Sequence, residues 1–261
     1  NMENPVVGGY SPDKIALRRA MAMSMNQAKL ISVVANNQAL AAQSPVAPGI
    51  TGYDPAFKNT LNSYSPARAN ALLDRFGYKD VDGDGWRELP SGKPLLITYT
   101  TSTGGDRRDF EEFLLKSLKG IGIKLEIRKM PFSELVKTRQ SGQYQFAGAA
   151  WGADYPDAEN FMQLLYGPNA GPGNESRFRN RQFDALYEDI ATSPDSPERN
   201  AKLRQMSRIV AAYAPWIYNS HRIGTSLAQP WISGYKPHPD HMPHFKYLDI
   251  DLAAKAAAKK R

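Results

Sequence analysis

The stretch Trp151-Gly152-Ala153-Asp154-Tyr155-Pro156-Asp157 sets a carboxylate between two large aromatic side chains. An aromatic wall from Trp151 and Tyr155 beside Asp154 suits an amine or another organic cation. Arg107 and Arg108 open a helix suggested by the pattern that follows them. An arginine at a helix N-terminus suits a carboxylate. If the strands leading into these two segments are parallel neighbours, both groups fall on the carboxyl edge of one sheet, where open α/β sheets bind ligands. An amine holder and a carboxylate holder on one rim describe a receptor for a zwitterion. A purely local reading competes with it. Asp106 would be an N-cap, Arg108 would pair with Glu111 or Glu112, and Asp154 would cap a helix opened by Pro156.

Other constellations are weaker. Asp80-Val81-Asp82-Gly83-Asp84-Gly85 has the oxygens and glycine of the first half of a calcium loop, but its twelfth position is Ser91 and a strand follows it. An acidic, glycine-rich turn is the simpler reading. His238, His241 and His244 recur at three-residue spacing and could ligate zinc or nickel. Pro237, Pro239 and Pro243 prevent the regular helix that would stack them, so no metal site is assigned. Asp154 and Asp157 could serve as a hydrolytic acid pair, on their proximity alone. No phosphate loop, dinucleotide fingerprint or nucleophile elbow is present. No cofactor is expected.

Composition excludes further classes. The 261 residues contain no cysteine, which removes disulfides, thiolate catalysis and thiolate metal sites together. A hydrophobic share of 41% supports a sizeable core. No apolar run approaches the roughly 18 residues of a membrane span. The net charge is +7, but Lys255, Lys259, Lys260 and Arg261 contribute four charges at the end, leaving +3 for the body. That is too little to argue for a nucleic-acid partner.

The elements that must position these residues follow from periodicity and punctuation. Ser11-Pro12-Asp13 reads as a helix start, and Ala16, Leu17, Ala20 and Met21 carry the helix over 12–26. Met21, Met23 and Met25 are expected in the core. Residues 43–56 read as an irregular loop. Ser65-Pro66 opens a second helix, closed by Gly77. Strands are expected at 94–100, 123–128 and 144–150, with helices at 107–119 and 132–140 between them. This alternation implies right-handed crossovers and a largely parallel sheet. Pro156 should open a helix carrying Phe161, Leu164 and Leu165. Two more helices are expected at 181–192 and 197–213, and short strands at 216–220, 223–228 and 245–250. The Ala/Lys tail, 253–261, is low-complexity.

Several ordered pieces carry a family resemblance. They are Ser11-Pro12-Asp13-Lys14-Ile15-Ala16-Leu17-Arg18-Arg19-Ala20, Gly77-Tyr78-Lys79-Asp80-Val81-Asp82-Gly83-Asp84-Gly85, Leu118-Lys119-Gly120-Ile121-Gly122-Ile123, Trp151 through Asp157, and Arg199-Asn200 through Ala214-Pro215-Trp216-Ile217. In this order the chain resembles the extracellular solute-binding proteins of bacterial ABC importers, in the oligopeptide/dipeptide-binding class. The resemblance implies an α/β fold: a periplasmic-binding-protein type II lobe, with a mixed, mainly parallel sheet flanked by helices. It implies that the chain corresponds to the C-terminal half of such a protein. Residues 1–222 would form the main ligand-binding lobe, and 223–261 a returning segment that completes the other lobe. The implied function is periplasmic capture of peptides or peptide-like solutes for an inner-membrane ABC permease, by a monomer and without catalysis. In several members the aspartate after the Trp-Gly-x motif holds the peptide's α-amino group, which maps onto Asp154, with Trp151 lining the pocket. An arginine opening the preceding helix binds the carboxylate in dipeptide binders and falls on Arg108, although Asp106-Arg107-Arg108 departs from the usual pattern. Members of the family also bind metal chelates and haem, which is the alternative reading. A hydrolase lobe built on Asp154 and Asp157 is the more distant one.

Overall fold

A computed structural model describes residues 1–105, 107–236 and 244–258. The first helix, α1 (Pro12–Met23), has Ser11 at its N-cap, Pro12 in its first turn and Asp13 beside the positive end of its dipole. Met21, Met23 and Met25 are all buried. The helix stops before residue 26 because Asn26 starts another. Its side chain accepts the Lys29 N–H and caps α2 (Gln27–Val34), an element the periodicity does not announce. A short strand, β1 (Ala39–Ala41), follows. The next helix, α3 (Pro66–Arg75), is capped by the Ser65 hydroxyl and leaves through Gly77 at φ +83°, the left-handed geometry a C-terminal glycine provides.

The centre is a three-stranded, fully parallel sheet in which β2 (Leu96–Ser102) lies between β3 (Lys124–Met130) and β4 (Phe146–Ala147). Helices α4 (Arg108–Lys119) and α5 (Phe132–Ser141) make the crossovers. The middle strand is buried through Thr100, Thr101 and Ser102 to its carboxyl end, whereas β3 exposes Lys124 and Glu126 and buries Leu125, as alternation requires of an edge. The third strand has two residues instead of the seven expected. The Gln145 side-chain oxygen, rather than a main-chain carbonyl, accepts the Thr98 N–H at 2.8 Å. Past Ala147, Arg139 Nη1 donates to the Gly148 carbonyl at 2.9 Å. A Cβ at Gly148 would stand 2.3 Å from the Tyr99 hydroxyl oxygen, so only glycine lets the chain leave the sheet there.

Two cores result. One lies under the sheet, where Leu17, Leu73, Tyr78, Ile97, Leu118 and Ile123 meet. The other gathers Met162, Phe178, Phe183, Ile190, Leu203 and Met206 around α6 (Glu159–Met162), α7 (Arg181–Thr192) and α8 (Pro197–Tyr213). Arg18 links them. Its buried guanidinium donates to the Tyr213 carbonyl at the end of α8 (2.8 and 3.1 Å) and to the Val7 and Gly9 carbonyls (2.8 and 3.0 Å). Burial lowers its pKa to about 10.

Beyond α8 the expected strands shift. Residues 216–219 are not strand; the pairing begins at β5 (Ser220–Arg222), antiparallel to β1, because Ala39–Ala41 offers its free edge only there. No strand forms over 223–228, where the chain finds no partner edge among the described residues. The strand expected at 245–250 is reduced to β7 (Asp249–Ile250), paired with β6 (Ile232–Ser233). A last helix, α9 (Leu252–Ala258), occupies part of the Ala/Lys tail. No described helix is long and apolar enough to cross a membrane.

Candidate functional site

Because β2 and β4 are parallel neighbours, the segments leaving their carboxyl ends lie on one edge of the sheet. The first leads to Arg108, the opening residue of α4, and the second to Trp151, Asp154 and Tyr155. All four side chains are exposed, with Trp151 at 47% and Tyr155 at 43%. These half-uncovered rings on the carboxyl edge of the sheet belong to neither core.

One buried residue organises this rim, and sequence reasoning missed it. The Asn160 side-chain oxygen accepts the Trp151 indole N–H at 2.8 Å and the Asp154 backbone N–H at 3.1 Å. Its amide nitrogen donates to Asp154 Oδ2 at 3.2 Å. Asn160 is 1% exposed, so one fully enclosed amide fixes both the indole and the carboxylate. A neutral amide holds the Asp154 carboxylate without neutralising it, which leaves its charge for a cationic partner. Tyr155 donates its hydroxyl to Glu159 Oε2, and Tyr187 on α7 donates to Oε1 of the same carboxylate. Desolvation and these carboxylate bonds raise both phenol pKa values. The only sequence signal for Asn160 was a polar residue among apolar neighbours in a short helix.

Asp157 has a different task. Its Oδ1 receives Arg199 Nη2 at 2.6 Å and the Glu159 N–H at 2.8 Å. Arg199 is 4% exposed and also donates through Nε to the Ile190 carbonyl at the end of α7. The helix expected from Pro156 starts only at Glu159, with Ala158 at its N-cap, and it is Asp157 rather than Asp154 whose side chain accepts the first helical N–H. An aspartate held by a buried guanidinium is a structural anchor. The loop 47–53 is sewn to the same place: Thr51 N–H donates to the Pro156 carbonyl and the Ala158 N–H to the Thr51 carbonyl. Gly52 next to it has φ +88°, and a Cβ there would meet Leu203 Cδ1 at 2.6 Å.

Of the two carboxylates suggested for Arg108, Glu111 pairs with Lys129 at 2.7 Å and Glu112 with Lys116 at 3.2 Å. Asp106, His238 and His241 lie outside the described residues, as does the His244 side chain. In the acidic turn, ligand oxygens of Asp80, Asp82 and Glu88 lie within 4.8 Å of one another. Asp80 accepts the Gly83 and Gly85 N–H groups and Glu88 accepts the Val81 N–H, so the turn is closed by carboxylate bonds to its own backbone.

The fold is that of a type II periplasmic binding protein. Over 96% of this chain it matches the oligopeptide-binding protein AppA of Bacillus subtilis, solved in complex with a nonapeptide, with a TM-score of 0.83 at 19% identity and 49% of that protein covered. Residues 5–173 match the family described as bacterial extracellular solute-binding proteins, family 5 Middle, and the chain belongs to that family. It is 26% identical to Di/tripeptide-binding protein 2 of Pseudomonas aeruginosa over 243 residues, 92% of this chain and 43% of that protein. It is 25% identical to Heme-binding protein A of Haemophilus influenzae over 241 residues, 92% of this chain and 42% of that protein. The chain thus spans less than half the length of these relatives.

Proposed function

We propose that this chain forms a ligand-binding part of a periplasmic peptide receptor, one that captures peptides or peptide-like solutes for an inner-membrane ABC permease. The observation that carries this reading is the charged Asp154 carboxylate, locked by Asn160 beside the exposed Trp151 and Tyr155 rings on the carboxyl edge of the parallel sheet. Asp154 holds the peptide's ammonium, Trp151 and Tyr155 flank the first residues, and Arg108 on the same edge takes a carboxylate. The Pseudomonas di/tripeptide-binding relative supports peptides over other solutes. The protein acts as a monomer and performs no catalysis. Ligand capture shifts a hinge equilibrium towards a closed form. The division we propose puts residues 1–222 in the main lobe and 223–261 in a segment that completes a second lobe.

The test is Asp154→Asn, which keeps size and the Asn160 contact but removes the charge. A charge-assisted bond to an ammonium contributes roughly 1.5–3 kcal/mol, so affinity for a free-amine dipeptide or tripeptide should fall about tenfold to a hundredfold by calorimetry. An N-acetylated peptide should be affected far less. Equal losses for both would make Asp154 a structural residue, and tight binding of haem without peptide binding would replace this reading with the haem one.

A further inference from the structure

A second concave surface lies away from the aromatic rim, between α1, α8 and the loop before Thr60. It encloses about 400 Å³, and its lining includes Arg19, Phe57, Lys58, Thr60, Arg204 and Arg208. Four cations thus face one volume. Arg204 and Arg208 are four residues apart and project from one face of α8. The loop contributes a single carboxylate nearby, Asp54, and it is taken by Arg204 at 2.6 Å. Arg19, Lys58 and Arg208 have no carboxylate partner among the described residues. The Arg19 Nε is moreover buried with no acceptor.

The contrast with the neighbouring residue is informative. Arg18 satisfies its guanidinium on three backbone carbonyls, those of Val7, Gly9 and Tyr213. Arg19 instead lines the groove together with Lys58, Arg204 and Arg208. Like charges gathered around a hollow repel one another, and a buried donor without an acceptor costs free energy. The repulsion is relieved when a compact phosphate anion occupies the volume.

We propose that this groove binds a phosphate group, free or as the head of a phospholipid. Arg19 and Arg208 give it planar donor pairs, Lys58 a point charge and Thr60 a hydroxyl, while Phe57 provides an apolar wall for an ester substituent. A tetrahedral oxyanion fits converging guanidinium groups in a concavity better than an extended acidic peptide, which needs a row of side-chain pockets. The groove uses none of Trp151, Asp154 or Arg108, so its occupancy and peptide capture are separable.

The test is titration of the purified protein with inorganic phosphate by calorimetry, and separately with phosphatidylcholine vesicles with and without phosphatidylglycerol by flotation. Saturable sub-millimolar binding is expected in one arm, and the responding arm identifies the source. Arg208→Gln and Lys58→Gln, both at exposed positions, should each weaken that binding about tenfold, and Arg19→Gln by tenfold to a hundredfold. Lys93→Gln, an equal change of charge on a distant turn, should leave it unchanged, as should Asp154→Asn. No saturable binding in either arm, or binding that survives Arg19→Gln combined with Arg208→Gln in a protein with an unaltered circular dichroism spectrum, overturns the proposal.

Discussion

Residues 94–130 and 223–258 are both rich in apolar side chains, yet they end in opposite states. In the first stretch Leu95, Ile97, Leu114, Leu118, Ile121 and Ile123 are all essentially inaccessible. In the second, no described residue is buried, and Leu227 and Leu252 stand 94% and 73% exposed. The difference is layering. The strands β2 and β3 pair over seven residues and α4 packs on them, closing a core from two sides. The β6–β7 pair has two residues per strand and carries no covering layer among the described residues. A two-stranded ribbon of that length has little stability of its own. Apolar content becomes stability only where the topology supplies a second face, and the exposed side chains after residue 222 are the surface our proposed lobe division would have a partner cover.

Amide exchange gives the widest test of this contrast. Exchange over 223–236 should be roughly a thousandfold faster than in β2 and β3, since core strands open only with a large part of the global stability. Equal protection would abolish the comparison and the division at 222 with it. Next come substitutions within the packed part. Arg199→Ala strands Asp157 and should cost about 3–5 kcal/mol in urea unfolding. Ile97→Ala should cost about 2–5 kcal/mol.

A smaller effect should appear at the border. His221 in β5 has its pKa lowered by burial, and its Nε2 is buried without a partner. The unfolded chain therefore binds the proton first as pH falls. Stability is fully present above the ordinary value of 6.5 and declines as pH drops through the lowered folded value. The slope should stay well below the one-proton limit of about 1.4 kcal/mol per pH unit, because the ring is only half-buried and solvent screens it. His221→Gln should flatten that decline in thermal unfolding between mildly acidic and neutral pH; an unchanged profile would transfer it to other groups. Smallest of all, Leu227→Ser and Leu252→Ser should change stability by no more than about 0.5 kcal/mol. A larger loss in either would show that the segment is packed after all.

Much of the first region was legible because its signals are local. Ser65-Pro66 and Ser196-Pro197 begin helices where expected, and both serine hydroxyls accept the N–H three residues on. The parallel arrangement of β2, β3 and β4 follows from the alternation with helices, and it alone puts Arg108 and Asp154 on one edge. The short α2 escaped notice because its start depends on the Asn26 side chain rather than on an apolar stripe. The length of β4 was overestimated because Gln145, Arg139 and Tyr99 end it through side chains that the strand pattern does not encode.

The sequence by itself determined the starts of α1, α3 and α8, the βαβ order and hence the edge on which Trp151, Asp154, Tyr155 and Arg108 lie, because caps, periodicity and crossover handedness act over a few residues or through chain connectivity alone. Tertiary structure decided which of two neighbouring aspartates is available. Asp157 meets a buried arginine 42 positions away, and Asp154 meets a neutral amide that keeps its charge. The same holds for Arg18 and Arg19, adjacent on one helix, of which one finds carbonyls from residue 213 and the other a groove of cations. Nothing in the spacing of such pairs distinguishes them. The energy of a buried charge depends on what the fold brings within about 3 Å of it, and that is set by contacts between distant parts of the chain.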